Sequence, residues 1–273
     1  VFWKKMDPIL YYIFTFLLGS AFGSFFNVLI WRIPRGESIV FPSSYCPSCK
    51  TPIKFIYNIP LLGFFLTGGK CAHCKTAISL IYPCIELFTA LCALLIGYIF
   101  LSKVEEISIL TIIPVIVKFF WLLLMIPMSI IDIKKYIIPD QFTLPFIIAG
   151  LVLSFLPFDI TPINSFLGIV AGGGSLLLIG ILGSWILKKE EVMGGGDIKL
   201  MAAFGALFGW QLTLLSIMLG ACLGSLSGIG MMFSKKIQID HKIPFGPFLA
   251  CGIWISFLFG ERIINWYISL LMT

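Results

Sequence analysis

Eight stretches of the chain are apolar for most or all of a bilayer's thickness, and this restricts the fold more than any other feature. They fall at about 8–30, 83–102, 108–131, 141–158, 163–187, 198–209, 211–233 and 245–270. Crossing a hydrocarbon core of about 30 Å takes roughly 20 helical residues. Lipid offers no hydrogen-bond partners, so the backbone of such a stretch must satisfy its own N–H and C=O groups, as a helix does. Only 12% of residues are charged, against about 25% in soluble domains. The sixth stretch is too short to cross alone, and the last is interrupted by Gly260-Glu261-Arg262, where it could end early. The expected fold is an all-α polytopic membrane protein with about eight transmembrane helices, one of them short. The first stretch lacks an A-x-A-like cleavage site and reads as a retained span.

Residues 31–82 break the pattern, being polar, basic and rich in Pro and Cys. The chain therefore divides into a first helix (1–30), an insert (31–82) and a larger membrane-embedded part (83–273). No internal repeat stands out. Alternate loops differ sharply in charge. One set carries Arg32, Arg35, Lys50, Lys54, Lys70, Lys75, Lys134, Lys135, Lys188, Lys189, Lys199, Lys235, Lys236 and Lys242, fourteen of the nineteen cations. The other side has Lys4, Lys5, Lys103 and Arg262, and Lys118 lies within a span. Cytoplasmic loops are enriched in Lys and Arg, so the first set and the insert are assigned to the cytoplasm. The net charge of +6 is thus spent on orientation within a lipid bilayer and gives no reason to expect nucleic acid.

The insert holds two Cys-x-x-Cys pairs, Cys46/Cys49 and Cys71/Cys74, with 21 residues between Cys49 and Cys71. Each pair can turn two thiolates toward one ion, and two such pairs at this separation are a tetrahedral zinc signature. Soft sulfur suits Zn²⁺, and a segment of this size buries too little core to hold itself together without a staple. A reducing compartment disfavours the competing pair of disulfides. His73, inside the second pair, reads as a bystander. Cys84, Cys92, Cys222 and Cys251 lie in apolar spans and read as small hydrophobes.

Four acids fall at the cytoplasmic ends of spans: Glu86, Asp132, Asp140 and Asp197. Ionisable groups near membrane depth are functional candidates by default, although helix-end acids also sit in the headgroup zone or cap helices. Asp197 follows Gly194, Gly195 and Gly196, while Asp132 closes the third span about 65 residues earlier. Two facing carboxylates can share a proton, one acting as base toward water and the other as acid toward a carbonyl. Glycines beside one of them allow close approach and unusual dihedrals, a hinge at the mouth of a helix. The plainer reading of the same string is a turn with Asp197 as N-cap. Two other functions stand beside proteolysis on the residues alone. A proton-coupled transporter would use Asp132 and Asp197, but the outer-side acids Asp7, Glu105, Glu106, Asp159 and Glu261 read as loop or end residues and mark no path. A scaffold recruiting partners through a zinc loop leaves the paired acids unexplained.

The strings "GSFFNVLIWRIPRGES" (23–38), "YCPSCKTPI" (45–53), "YNIPLLG" (57–63), "CAHCKTAISLIYPCIEL" (71–87), "IDIKKYIIPDQFTLP" (131–145), "GGGDIKLMAAFGALFGW" (194–210) and "IPFGPFLA" (243–250) together resemble the bacterial type IV prepilin peptidases. These are membrane aspartyl proteases of the G-x-G-D class. The resemblance implies that Asp132 and Asp197 are the catalytic pair and Asp140 a neighbour. It further implies cleavage of a basic leader after glycine on the cytoplasmic side, in prepilin or pseudopilin substrates. It then implies N-methylation of the new terminus with S-adenosylmethionine, in a bacterial inner membrane. No glycine-rich strand–helix unit is present for that cofactor, and Glu86, next to the insert, is a candidate for binding it.

Overall fold

The computed structural model describes residues 7–103, 109–156, 160–188, 192–233 and 243–272. Several charges counted above lie outside these residues: Lys4, Lys5, Lys189, Lys235, Lys236, Lys242, Glu105, Glu106 and Asp159. Among the described residues the long elements are helices: α1 (Pro8–Arg32), α2 (Leu62–Leu66), α3 (Ile81–Lys103), α4 (Ile109–Lys135), α5 (Leu144–Leu153), α6 (Pro162–Ile169), α7 (Ser175–Leu187), α8 (Gly195–Phe208), α9 (Trp210–Phe233) and α10 (Gly246–Met272). A π-helical turn, Val170–Gly174, joins α6 to α7, so Pro162–Leu187 is one run. Among the described residues six runs are long and apolar enough to cross a membrane.

Two expected spans are short. The stretch at 141–158 forms a helix of ten residues, α5, preceded by a 3-10 turn at Asp140–Phe142. Helix α8 has 14 residues, about 21 Å at 1.5 Å per residue, less than a hydrocarbon core. The last span differs in the other direction. Helix α10 runs through Gly260-Glu261-Arg262 without a break, since glycine inside a helix loosens it but does not remove its hydrogen bonds.

The chain divides into two compact units, Val1–Pro127 and Met128–Thr273. Helix α3 therefore groups with α1 and the insert, whereas the sequence reading placed it with the larger membrane part. In the first unit α1 and α3 pair antiparallel. The Tyr11 hydroxyl donates to the Gly97 carbonyl at 2.9 Å, and Asn27 Nδ2 donates to the Tyr82 carbonyl at 3.2 Å. Between these ends, a Cβ on Gly23 would lie 2.6 Å from Glu86 Cα. Lipid tails are as apolar as leucine, so helices gain little from burying oil against oil; small residues that let backbones approach hold them instead.

The second unit is built on that rule. Residues 200–207 of α8 are all buried, on every face of the helix, and α5, α6, the π turn and α9 pack around it. A Cβ on Gly168 of α6 would run into the Gly205 carbonyl of α8, and one on Gly172 into the Met201 carbonyl. Ser165 donates to the Ala206 carbonyl at 2.8 Å. The glycines of "GIVAGGGS" (168–175) are the seat on which a short central helix rests.

Replacing Gly168 by Val should lower the melting temperature in detergent well below that of a Gly224→Ala control, where a Cβ meets only ordinary contacts. Overpacking a tight core costs about 1–3 kcal/mol, and the obstacle here is backbone. Equal melting curves for the two variants would contradict the packing described.

Candidate active site and metal centre

Asp132 lies in the last turn of α4 and is 6% exposed. Its Oδ2 accepts the backbone N–H of Gly246 at 3.0 Å. Gly246 is the first residue of α10. The N–H groups of a helix's first turn have no intrahelical partner and carry partial positive charge, which suits a carboxylate. A side chain at 246 would place Cβ 2.7 Å from that oxygen, so glycine is needed for the contact. Just beyond Asp132, Tyr136 adopts the left-handed region (φ 57°), and its N–H bonds back to the Asp132 carbonyl at 2.8 Å. This closes α4 and redirects the chain toward Ile138.

Asp197 is the third residue of α8, is 9% exposed, and leaves its buried Oδ1 without a hydrogen-bond partner among the described residues. Ile138 sits between the two acids' supports. A Cβ on Gly196 would lie 2.8 Å from Ile138 Cβ, and a Cβ on Gly246 would lie 3.1 Å from Ile138 Cδ1. Asp132 and Asp197 thus stand on elements that pack against the same residue, Ile138. Both belong to the second unit.

Of the two uses expected of the glycines, close approach and unusual dihedrals, the structure shows the first. Gly194 is extended (φ −67°, ψ 129°) and caps α8, while Gly195 and Gly196 are helical; none of the three is in the left-handed region. What they provide is room, Gly196 against Ile138 and Gly194 against Asp197, whose Oδ2 would be 2.9 Å from an added Cβ. The N-cap reading of Asp197 does not hold, because the cap is Gly194 and no side chain bonds to it. Asp140 is turned to other use: both its oxygens accept from Lys199 Nζ, at 2.7 and 2.8 Å, on the partly exposed edge of the site. Gly246, Ile138 and Lys199 were not singled out from sequence. Gly246 had a visible signal, a Gly-Pro pair opening an apolar run, but nothing local to say which acid it faces.

The four insert cysteines converge. Their sulfurs all lie within 4.8 Å of one another, and Cys46 and Cys74 are 3.8 Å apart. A tetrahedral ion with Zn–S bonds of about 2.3 Å separates its sulfurs by about 3.8 Å, so the donor set fits zinc. None of the four forms a disulfide. The two knuckles are copies of one turn, Cys-x-x-Cys-Lys-Thr. Lys50 and Lys75 are both left-handed (φ 58° and 61°), and the first cysteine N–H of each bonds to the following threonine carbonyl, at 3.0 and 2.8 Å. Thr51 and Thr76 place their hydroxyls 3.3 and 3.2 Å from Cys49 and Cys74. The Thr76 hydroxyl, followed by its backbone N–H, draws the Cys74 thiol down to about 6, and the Thr51 hydroxyl lowers Cys49 in the same way. Thiolate is the ligating form.

Glu86 belongs to the first unit. Its Oε2 accepts the Leu61 N–H at 2.7 Å, tying the insert to the start of α3.

Residues 17–100 match the family described as Bacterial Peptidase A24 N-terminal domain, and residues 116–229 match the Type IV leader peptidase family. The chain is 32% identical to a prepilin leader peptidase/N-methyltransferase of Aeromonas salmonicida, over 97% of this chain and 96% of that protein. To a protein of the same description from Pseudomonas aeruginosa it is 33% identical, over 96% and 95%. A Klebsiella pneumoniae relative with that description is 37% identical over 75% of this chain and 88% of its own. No solved structure matches. The first match carries the four cysteines and the second carries both buried acids, and with whole-length identity above 30% the chain belongs to the type IV leader peptidase family.

Proposed function

We propose that this chain is a membrane aspartyl endopeptidase that removes the basic leader of type IV prepilins or pseudopilins and then N-methylates the exposed terminus. The carrying observation is the pair Asp132 and Asp197, both buried, brought to Ile138 by the ends of α4, α8 and α10. One carboxylate removes a proton from water as its oxygen attacks the scissile carbonyl. The other, protonated, gives its proton to the carbonyl oxygen. Collapse of the tetrahedral intermediate breaks the C–N bond, and the leaving amine takes up a proton from the dyad. Asp132 is held by the α10 N-terminus, while Asp197 keeps an oxygen without a protein partner among the described residues, open to water or substrate. The expected cut follows a glycine on the cytoplasmic side of the inner membrane. The Lys/Arg asymmetry supports that side, where a cationic leader also meets the two acids.

Zn²⁺ held by Cys46, Cys49, Cys71 and Cys74 supplies a fixed node for the insert. S-adenosylmethionine supplies, when bound, the methyl group for the new terminal amine, and a polar cofactor needs a pocket open to water. The insert and the span ends beside it meet that need, and the proteolytic acids lie outside it. The direct test is incubation of the purified protein with a prepilin, with and without S-adenosylmethionine, read by intact mass.

In that assay Asp132→Asn and Asp197→Asn should each lower cleavage by at least about a hundredfold, the scale of positioned acid–base catalysis. Asp140→Asn should change it by no more than about fivefold, since an exposed ion pair contributes ~0–1 kcal/mol. A dead Asp140→Asn beside an active Asp132→Asn would reassign the dyad. Gly196→Val should reduce cleavage by on the order of a hundredfold with the fold retained, as its Cβ displaces Ile138; wild-type turnover would reduce the glycines to a turn. Elemental analysis should find one zinc per chain, and replacing Cys46 and Cys49 by Ser should remove it and deplete the methylated product more than the cleaved one. Absence of zinc in protein never exposed to chelator, or parallel loss of both activities in a monodisperse variant, would refute this division of labour.

A further inference from the structure

The insert turns apolar side chains outward. Helix α2 leaves Leu62, Phe65 and Leu66 each more than half exposed, and their i, i+3, i+4 spacing puts them on one face. Its other face is turned into the insert. Gly63 packs directly onto the Tyr57 carbonyl, the Phe64 ring lies against Gly69, and the Thr67 hydroxyl donates to the Gly63 carbonyl at 2.8 Å. Phe55 and Ile56, in the 3-10 turn Phe55–Asn58 on which Gly63 rests, are 85% and 53% exposed. A module folded in water has the opposite arrangement, and contiguous apolar patches mark membrane or protein contacts.

Glu86 sets the level of this face. It is the sixth residue of α3, about 7.5 Å along the helix from Ile81 at 1.5 Å per residue, and Ile81 opens the apolar run Ile81–Phe100. Its Oε2 accepts the Leu61 N–H at 2.7 Å, so α2 starts beside the second turn of that run and not beyond its end. Helix α1 agrees, since Gly23 crosses the Glu86 backbone nine residues before α1 ends at Arg32. Interfacial apolar faces sit about 5–10 Å deep at the boundary of headgroups and acyl chains.

The backbone at this level is arranged for scarce water. The N–H groups of a helix's first turn lack intrahelical partners, and unmet ones are costly in lipid. Here Leu61 gives its own to Glu86, while Leu62 and Gly63 give theirs to the Pro60 and Ile59 carbonyls at 2.7 and 2.8 Å. Leu61 takes φ 62° and ψ −55° to do so, a region that a branched residue occupies only when its surroundings enforce it.

We propose that the face made by Phe55, Ile56, Leu62, Phe65 and Leu66 is set into the leaflet on the side of the Lys/Arg-rich loops, with an anionic lipid surface as its partner. Charge selects that partner. Residues 31–82 carry six cations and one acid, Glu37, and Lys54 and Lys70, which flank the face in sequence, are both exposed. Basic residues beside an apolar interfacial face favour anionic headgroups. The leaflet supplies burial that a segment of this size lacks, and it holds the insert at a fixed height on α1 and α3. The inference stands apart from the peptidase and methyltransferase readings.

The test uses the full zinc-loaded chain in nanodiscs of phosphatidylcholine and phosphatidylglycerol in equal parts. The photo-cross-linker p-benzoylphenylalanine replaces Phe65, Leu66 or, as a polar control, Glu37, which is exposed just beyond the end of α1. Intact mass and peptide mapping should show phospholipid adducts at Phe65 and Leu66 at least about fivefold more often than at Glu37, as a face buried in the headgroup boundary requires. Phosphatidylglycerol adducts should outnumber phosphatidylcholine adducts about twofold or more, and Lys54→Gln with Lys70→Gln should remove that excess. Equal adducts at all three positions overturn the inserted face. Cross-links to a second chain, or to residues 128–272, overturn it as well and make the face a protein interface. Adducts that mirror the bilayer composition overturn the anionic preference alone. If the substituted chains lose zinc or fail to fold, lipids with a diazirine in the acyl chain are used on the unaltered protein. Label is then expected within residues 55–66, and its absence there overturns the proposal.

Discussion

The backbone contact between Gly168 and Gly205 is what the second unit depends on. Neither residue contributes a side chain, and that absence lets α6 and α8 come together carbonyl to carbon. In lipid this is a principal source of helix affinity, because burying apolar surface against a neighbour instead of against acyl chains changes little. A helix of 14 residues cannot span the membrane. Surrounded by others, it becomes a buried pillar whose first turn carries an acid. The depth and direction of Asp197 follow from that seat, and so does the approach of Gly196 to Ile138.

The second acid is positioned by different means. Asp132 rides on a long helix and is met by the starting N–H of α10, so two helix ends of opposite polarity face each other across one carboxylate oxygen. The asymmetry matters for chemistry. One acid is anchored by a backbone donor; the other has an oxygen with no protein partner among the described residues. A pair with equal surroundings has less reason to divide the roles of base and acid. The Asp140–Lys199 pair closes the rim, linking the segment after α4 to α8.

The first unit solves another problem, which is to attach a small polar insert to two helices without a large core. The four cysteine sulfurs converge in its middle, the Glu86–Leu61 bond ties its edge, and the crossing at Gly23 brings α1 against the backbone of Glu86. The threonine after each knuckle supports the thiolate form through its hydroxyl, a supporting role common around metal ligands.

Much of this was legible in the residues. Apolar runs of about 20 residues dictate helices because the backbone has no other partner in lipid, and paired Cys-x-x-Cys spacing dictates convergent sulfurs because the turn itself brings them together. Both are local rules, so sequence suffices. The motif resemblance pointed to Asp132 and Asp197, and both are buried in the folded chain. The length of α5, the continuity of α10 and the grouping of α3 with the insert were not legible, since a hydropathy pattern does not say where a neighbour's backbone permits a helix to continue. Of the two uses that the glycine string suggested, the folded chain takes close approach, the space of a missing Cβ against Ile138 nearly 60 positions away, with no left-handed dihedral; the identity of that neighbour was not legible. Which acid receives the α10 N–H, and that Glu86 holds Leu61 in a strained turn, are decided by contacts between distant segments. Sequence fixes the chemistry that each segment carries; only packing sets the distance between those groups, and reactivity depends on that distance.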